Sequence, residues 1–186
     1  MTVESEAVAS VARLMALAAR TAPKAKGVDT ILVHISEGEE LAHLSNVMTA
    51  FGTTHHLGFF LRDALNIAAS DACVFVGVKG DVVVGVNCGA CGFVSCAGLE
   101  KAITKGRNES TPFAGPNCAI RMTDLGIAVG SAVKTAQIHN VDNRVMYSAG
   151  TAAMALGLLG EGCTVAYGIP LSVSGKNIYF DRPHKG

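Results

Sequence analysis

Three cysteines fall within nine residues, Cys88, Cys91 and Cys96, and a fourth, Cys118, follows after a gap of 21 residues. This pattern limits the possible folds more than any other feature of the chain. If the four thiols act together, the surrounding elements must bring residues 88–96 and residue 118 to one place. The spacing Cys-x2-Cys-x4-Cys lets a single loop wrap one side of a metal centre, while the distant cysteine closes it from elsewhere. Four thiolates match a cubane [4Fe–4S] cluster, one for each iron. Zinc also accepts four cysteines and is the alternative occupant, but its sites commonly pair two short Cys-x2-Cys steps, and the second half here has none. Gly89 and Gly92 suit a loop that turns its amides towards sulfur through positive φ, and Phe93 suits exclusion of water. The expected ligands are Cys88, Cys91, Cys96 and Cys118. Cys73 and Cys163 lie in or beside apolar, strand-like runs, where a lone cysteine is usually a small core residue.

The remaining composition narrows the class. Of 186 residues, 49% are hydrophobic and 16% charged, enough to bury a sizeable core in one domain spanning residues 1–186, with the cysteine module at 87–118 inside it. Fifteen basic residues balance fifteen acidic ones, which argues against a nucleic-acid partner. Met1 to Ala9 contain Glu4 and Glu6 and lack the basic and apolar regions of a secretory signal. The most apolar stretch, Val145 to Gly160, is short and broken by glycines, so a buried helix is expected and no membrane span. These features predict a cytoplasmic protein whose cysteines serve as thiols or metal ligands.

Apolar periodicity predicts helices over Val3–Ala19, Gly38–Ala50, Leu57–Ser70 (capped by Thr53 or Thr54), Leu99–Lys105, from Thr123 or Asp124 to about His139, and over Thr151–Leu159. Strands are predicted at Thr30–Ile35, Cys73–Val78, Asp81–Val86, Asn143–Ser148, Thr164–Ile169 and Lys176–Phe180, with Cys73–Val78 and Asp81–Val86 forming a hairpin. Arg107–Pro116 reads as a loop. The alternation predicts an α/β or α+β fold, a layered sheet with helices.

Within this frame, Cys-Gly-Ala-Cys-Gly-Phe-x-x-Cys, then Ala-Ile-x-x-Gly over Ala102–Gly106, then Cys118, resembles a known four-iron module. It occurs in the large subunit of the corrinoid iron–sulfur protein and in the B subunit of Rnf electron-transport complexes; the final gap is longer here. The whole chain is similar to a family of prokaryotic proteins described as containing a ferredoxin domain. That resemblance implies a bound [4Fe–4S] cluster, mostly in anaerobes and methanogens, and supplies no reaction. Ala18 to Gly27, leading into the strand at Thr30, resembles the flavin-contacting loop of FMN-dependent nitroreductases. Asp124 to Ala136 is similar to their central helix, and Tyr167-Gly168-Ile169-Pro170 to their late Gly-Tyr-Pro turn. This second resemblance implies FMN beside Pro23, Lys24 and Lys26, on a nitroreductase-like fold with an inserted iron–sulfur module. The basic phosphate clamp of those enzymes has no counterpart; Lys24, Lys26, Arg121 and Lys134 are the cations available to replace it.

His55-His56 reads as a polar lead into a helix rather than a metal pair, since adjacent strand residues face opposite ways. His139–Asn143 reads as a turn. Lys101, Lys105 and Arg107 read as a solvated helix face, or else as a docking face for an acidic partner. The expectation is an iron–sulfur redox protein, either an electron carrier or a subunit of an oxidoreductase. It would exchange electrons with a partner protein or small-molecule acceptor, and assemble as a homo-oligomer through its Ala/Gly-rich helices. The alternatives are a flavin-dependent reductase with its own cluster, and a structural protein stapled by zinc or iron.

Overall fold

The computed structural model describes residues 2–106 and 111–181. Apolar side chains at three- and four-residue steps form α1 (Val3–Thr21), which buries Val8, Val11, Ala12, Met15 and Ala19. Its first turn is closed by a reciprocal box between Thr2 and Ser5, each side chain accepting from the other's amide. The order continues with β1 (Ile31–Glu37), α2 (Glu39–Thr54), α3 (Gly58–Ala68), β2 (Ala72–Val78), α4 (Cys96–Thr104), α5 (Ala119–Ile138), β3 (Asp142–Asn143), α6 (Tyr147–Ala155) and β4 (Val165–Ser172). The sheet runs β1-β2-β4-β3, antiparallel at every pairing.

Helices cover both faces of this sheet, so β2 reads as one continuous apolar run. Alternate residues serve opposite layers. Ala72, Val74, Val76 and Val78 join the α1 and α5 side, whereas Cys73 and Phe75 join α2, α3 and α6. Each fully buried Val or Phe contributes roughly 1.5–3 kcal/mol, which makes β2 the pin of the layers. Small residues set how closely the layers meet. A Cβ added at Gly150 of α6 would stand 2.0 Å from the Ala166 carbonyl oxygen, and one at Gly168 of β4 would stand 2.6 Å from the Ala149 Cβ. Ala128, Ala132 and Ala136 of α5 are likewise buried within the chain. The small faces of α5 and α6 therefore pack inside the chain. Between α3 and α6, the buried Asp63 accepts from the Ser148 hydroxyl at 2.6 Å and from Arg62 at 2.8 and 2.6 Å.

Several local expectations are corrected. Asp81–Val86 forms no strand and no hairpin, for β2 pairs with β1 and β4 instead. The Asn143–Ser148 strand ends at Asn143, and after one isolated bridge from Met146 to Gly168 the chain enters α6. Lys176–Phe180 makes turns, its polar groups held locally: Asn177 bonds Asp142 at 2.9 Å and accepts from the Tyr179 amide at 3.1 Å. Thr53 and Thr54 close α2 rather than capping α3, whose N-cap is Leu57 with no side-chain bond. α5 starts earlier than predicted, which puts Thr123 and Asp124 inside it. The Tyr167–Pro170 segment runs straight within β4 and is not a turn. Among the described residues no helix is long and apolar enough to cross a membrane.

Candidate metal centre

The path to the cysteines starts where β2 ends. Gly80 has no room for a side chain, because a Cβ there would lie 2.5 Å from both Asn117 Oδ1 and Met122 Cε. Its amide donates to Thr164 Oγ1 at 2.9 Å, and its carbonyl accepts from the Cys118 amide at 2.7 Å. The fourth cysteine is thereby tied by its backbone to the strand that leads into the first three. Beyond Gly80 the chain turns repeatedly, with positive φ at Gly85, Asn87, Gly89 and Gly92. Asn87 accommodates that conformation better than a branched residue does. The Asn87 amide donates to Cys96 Sγ at 3.3 Å, and the Asn87 Oδ1 accepts from the Cys96 amide at 2.8 Å. The Asn87 amide, joined by those of Gly85 and Val86, holds the Cys96 thiol below its ordinary value against partial desolvation and the nearby Glu100 charge. Consecutive amides converging on one sulfur form a concave donor set suited to an anion.

Cys96 opens α4, and Cys118 is the N-cap of α5. Cys96 lies in the first turn of its helix, where the positive end of the backbone dipole adds to the hydrogen bonds that favour its thiolate. Cys118 is 4% exposed and packs with Val84 and Leu99; Cys91, Phe93, Ala25, Ile103 and Ile120 close round this small cluster. Cys88 is exposed on the loop. All six cysteines are free of disulfides. Among the described residues, no three His, Cys, Asp or Glu side chains stand gathered at metal-holding separation. The fold thus joins the Cys88–Cys96 loop to Cys118 without closing a cage of sulfurs. The chemistry of the donor set fits a thiolate-ligated centre: free thiols, two of them at helix starts, amides turned towards sulfur and an apolar floor.

Sequence reasoning named Arg121 only as a phosphate cation and Asp124 only as a cap. The structure gives them another role. Arg121 is 1% exposed, one turn beyond Cys118. Its Nε donates to the Val82 carbonyl at 3.0 Å, and its Nη1 to the carbonyls of Val28 at 3.2 Å and Ala25 at 3.4 Å and to Asp124 Oδ2 at 2.9 Å. Asp124 Oδ1 in turn accepts from the Ala25 amide at 3.0 Å. One buried ion pair therefore joins the start of α5, the run leading into the cysteines, and the turn over residues 25–28. A lone Arg and an Asp three residues later in an apolar helix were the available signal.

Of the residues expected beside a flavin, Pro23 lines an open cleft of about 270 Å³ with Ala18, Thr21, Ala22, Ser131, Lys134, Thr135 and Ile138. Lys24 folds back to the Arg20 and Ala22 carbonyls at the end of α1. The Lys26 ammonium points towards Gly85 on the cysteine loop. The Pro23–Lys26 segment thus offers no paired cations to a flavin phosphate, and Lys134 is the one cation on that cleft among the described residues. Cys73 is buried in the core, where desolvation pushes its thiol well up, and Cys163 packs on the same cluster beside Gly77. His55 ends α2 and stacks on Phe51 at 4.3 Å. Lys101 and Lys105 are exposed on and just beyond α4, while Arg107 lies outside the described residues, as do residues 107–110 of the predicted loop.

The model of the family described as "Uncharacterized protein containing a ferredoxin domain" matches residues 114–182, and one described as "Putative Fe-S cluster" matches residues 85–111. An uncharacterized protein of Archaeoglobus fulgidus is 47% identical over 182 residues, which cover 98% of this chain and 95% of that protein. The fold is similar to nitroreductase CinD from Lactococcus lactis in complex with nicotinic acid, at TM-score 0.61 and 11% identity over 90% of this chain and 79% of that one. It is also similar to a nitroreductase with bound FMN from Desulfitobacterium hafniense, at TM-score 0.57 and 14% identity over 95% and 82%. Against nitroreductase A from Vibrio parahaemolyticus, at TM-score 0.55 and 10% identity, 90% of this chain matches but spans only 59% of that enzyme. At such identities the likeness is one of fold. Near-full-length identity to the Archaeoglobus protein, with family models falling on the cysteine loop and on the elements behind it, places this chain in the family of uncharacterized proteins containing a ferredoxin domain, built on a nitroreductase-like fold.

Proposed function

We propose that this chain holds one [4Fe–4S] cluster through Cys88, Cys91, Cys96 and Cys118 and carries single electrons in the cytoplasm. It serves as an electron carrier or as the subunit of a redox enzyme, in a homo-oligomer, facing a partner protein or a small-molecule acceptor. The observation that carries this reading is the Asn87 amide donating to Cys96 Sγ beside the backbone tie from Gly80 to Cys118. When bound, the cluster supplies a one-electron couple. The chain's part is to present four thiolates, to direct the Asn87 amide at sulfur, and to keep water from the centre with Val84, Leu99 and Phe93. Anaerobic purification with an optical spectrum and metal analysis tests it. A brown protein bleached by dithionite is expected, whereas a colourless one with stoichiometric zinc would make the site a folding staple. Cys91→Ser is expected to abolish iron binding, and Cys73→Ser to leave iron content unchanged; equal loss in both would overturn the ligand set.

The nitroreductase-like fold favours one second reading, a flavin-dependent reductase with its own cluster. Pro23 and Lys134 on the cleft beside α1, with Lys24 and Lys26 close by in sequence, are what the chain offers an FMN. Yellow flavin released on denaturation would select that reading, and its absence from anaerobically prepared protein would remove it.

A further inference from the structure

The turn over residues 25–28 is shaped to hold a charge. Lys26 has φ +56° and ψ +19°, and Gly27 follows at φ +66°. A left-handed conformation costs a residue with a side chain roughly 1 kcal/mol, so something must hold it. The buried Arg121–Asp124 pair does so from beneath, taking the Ala25 amide, the Ala25 carbonyl and the Val28 carbonyl. The same guanidinium takes the Val82 carbonyl, which fixes the turn relative to the cysteine loop. The Lys26 Nζ then lies 3.9 Å from the point that a side chain at Gly85 would occupy. Gly85 itself is left-handed, at φ +75°, so the loop turns beside the ammonium. Among the described residues Lys26 has no carboxylate partner.

We propose that Lys26 is a positioning residue for the cysteine site: Arg121 and Asp124 hold its turn, and its ammonium stands against the loop that carries Cys88, Cys91 and Cys96. This rests on the metal reading above and deepens it. A centre ligated by four thiolates carries net negative charge that grows on reduction, so a nearby ammonium stabilises the reduced form and raises the reduction potential. Glu100, whose charge bears on Cys96, acts in the opposite sense.

The test uses the full chain, loaded anaerobically with iron and sulfide, with potential and iron content measured together. Lys26→Gln and Lys26→Gly are expected to keep full iron content and to shift the potential to more negative values, by an amount that shrinks as salt screens the exposed ammonium. Lys26→Arg is expected to restore it, and Glu100→Gln to shift it the other way. Lys26→Gly discriminates, because it relieves the backbone strain: a purely structural lysine would gain stability there and leave the potential alone. Equal potentials in the wild-type, Lys26→Gln and Lys26→Gly proteins, at equal iron content, overturn the role of Lys26 and leave the metal reading standing. A wild-type chain that takes up no iron overturns both.

Discussion

Two neighbouring valine-rich segments, Ala72–Val78 and Asp81–Val86, meet opposite fates although only Lys79 and Gly80 separate them. The first is a strand, paired on both sides and buried at every residue. The second makes no ladder, buries only Val84, and leaves Val82 38% and Val86 46% exposed. Residue type does not separate them. What separates them is where the backbone hydrogen bonds go: β2 finds β1 and β4, whereas the Val82 carbonyl is taken by Arg121 and the amides at residues 85–87 turn to a sulfur. Strand propensity describes the fit to a half-buried pleated surface, and without such a surface it decides nothing. The β2 region gives its backbone bonds to neighbouring strands; the loop region gives them to Arg121 and to a sulfur.

That contrast can be broken or sharpened by substitution. The largest effect is expected at Gly150, where a side chain would run into the β4 backbone. Gly150→Val should cost about 3 kcal/mol or more in denaturant unfolding, or prevent folding, by forcing α6 off the sheet. A midpoint equal to wild type would mean that the sheet region is not packed as tightly as described. Next come paired truncations, one in each segment. Val76→Ala, in the buried strand, should lower stability by about 2–3 kcal/mol, and Val82→Ala, in the loop, by less than about 0.5 kcal/mol. Similar costs at both sites would erase the distinction. A last effect is one of pH, absent under neutral conditions. Burial pushes the Cys163 thiol from its ordinary 9.0 up to about 11. A group that binds its proton more tightly when folded contributes stability that is intact below about pH 9 and fades as pH rises towards 11. Unfolding midpoints should fall across that window, and Cys163→Ala should flatten the fall.

Much of the sheet and its helices was legible because periodicity is local. The spacing of Val8, Val11 and Met15 announces a helix before any partner is known, and the β-branched run at Cys73–Val78 announces a strand. The cysteine spacing was equally legible as a motif. What stayed hidden depends on distant pairings. Nothing near Val82 signals that an arginine 39 residues later will take its carbonyl, nor does anything near Ala25 signal a carboxylate 99 residues away. The early start of α5 was missed for the same reason. Cys118 caps it by backbone position, with no side-chain bond and no capping residue to read.

The tie between the Gly80 carbonyl and the Cys118 amide ranks the thiols by how firmly the fold holds them. Cys118 is anchored by its backbone just past the end of a finished strand, while Cys88 lies on an exposed stretch of the loop.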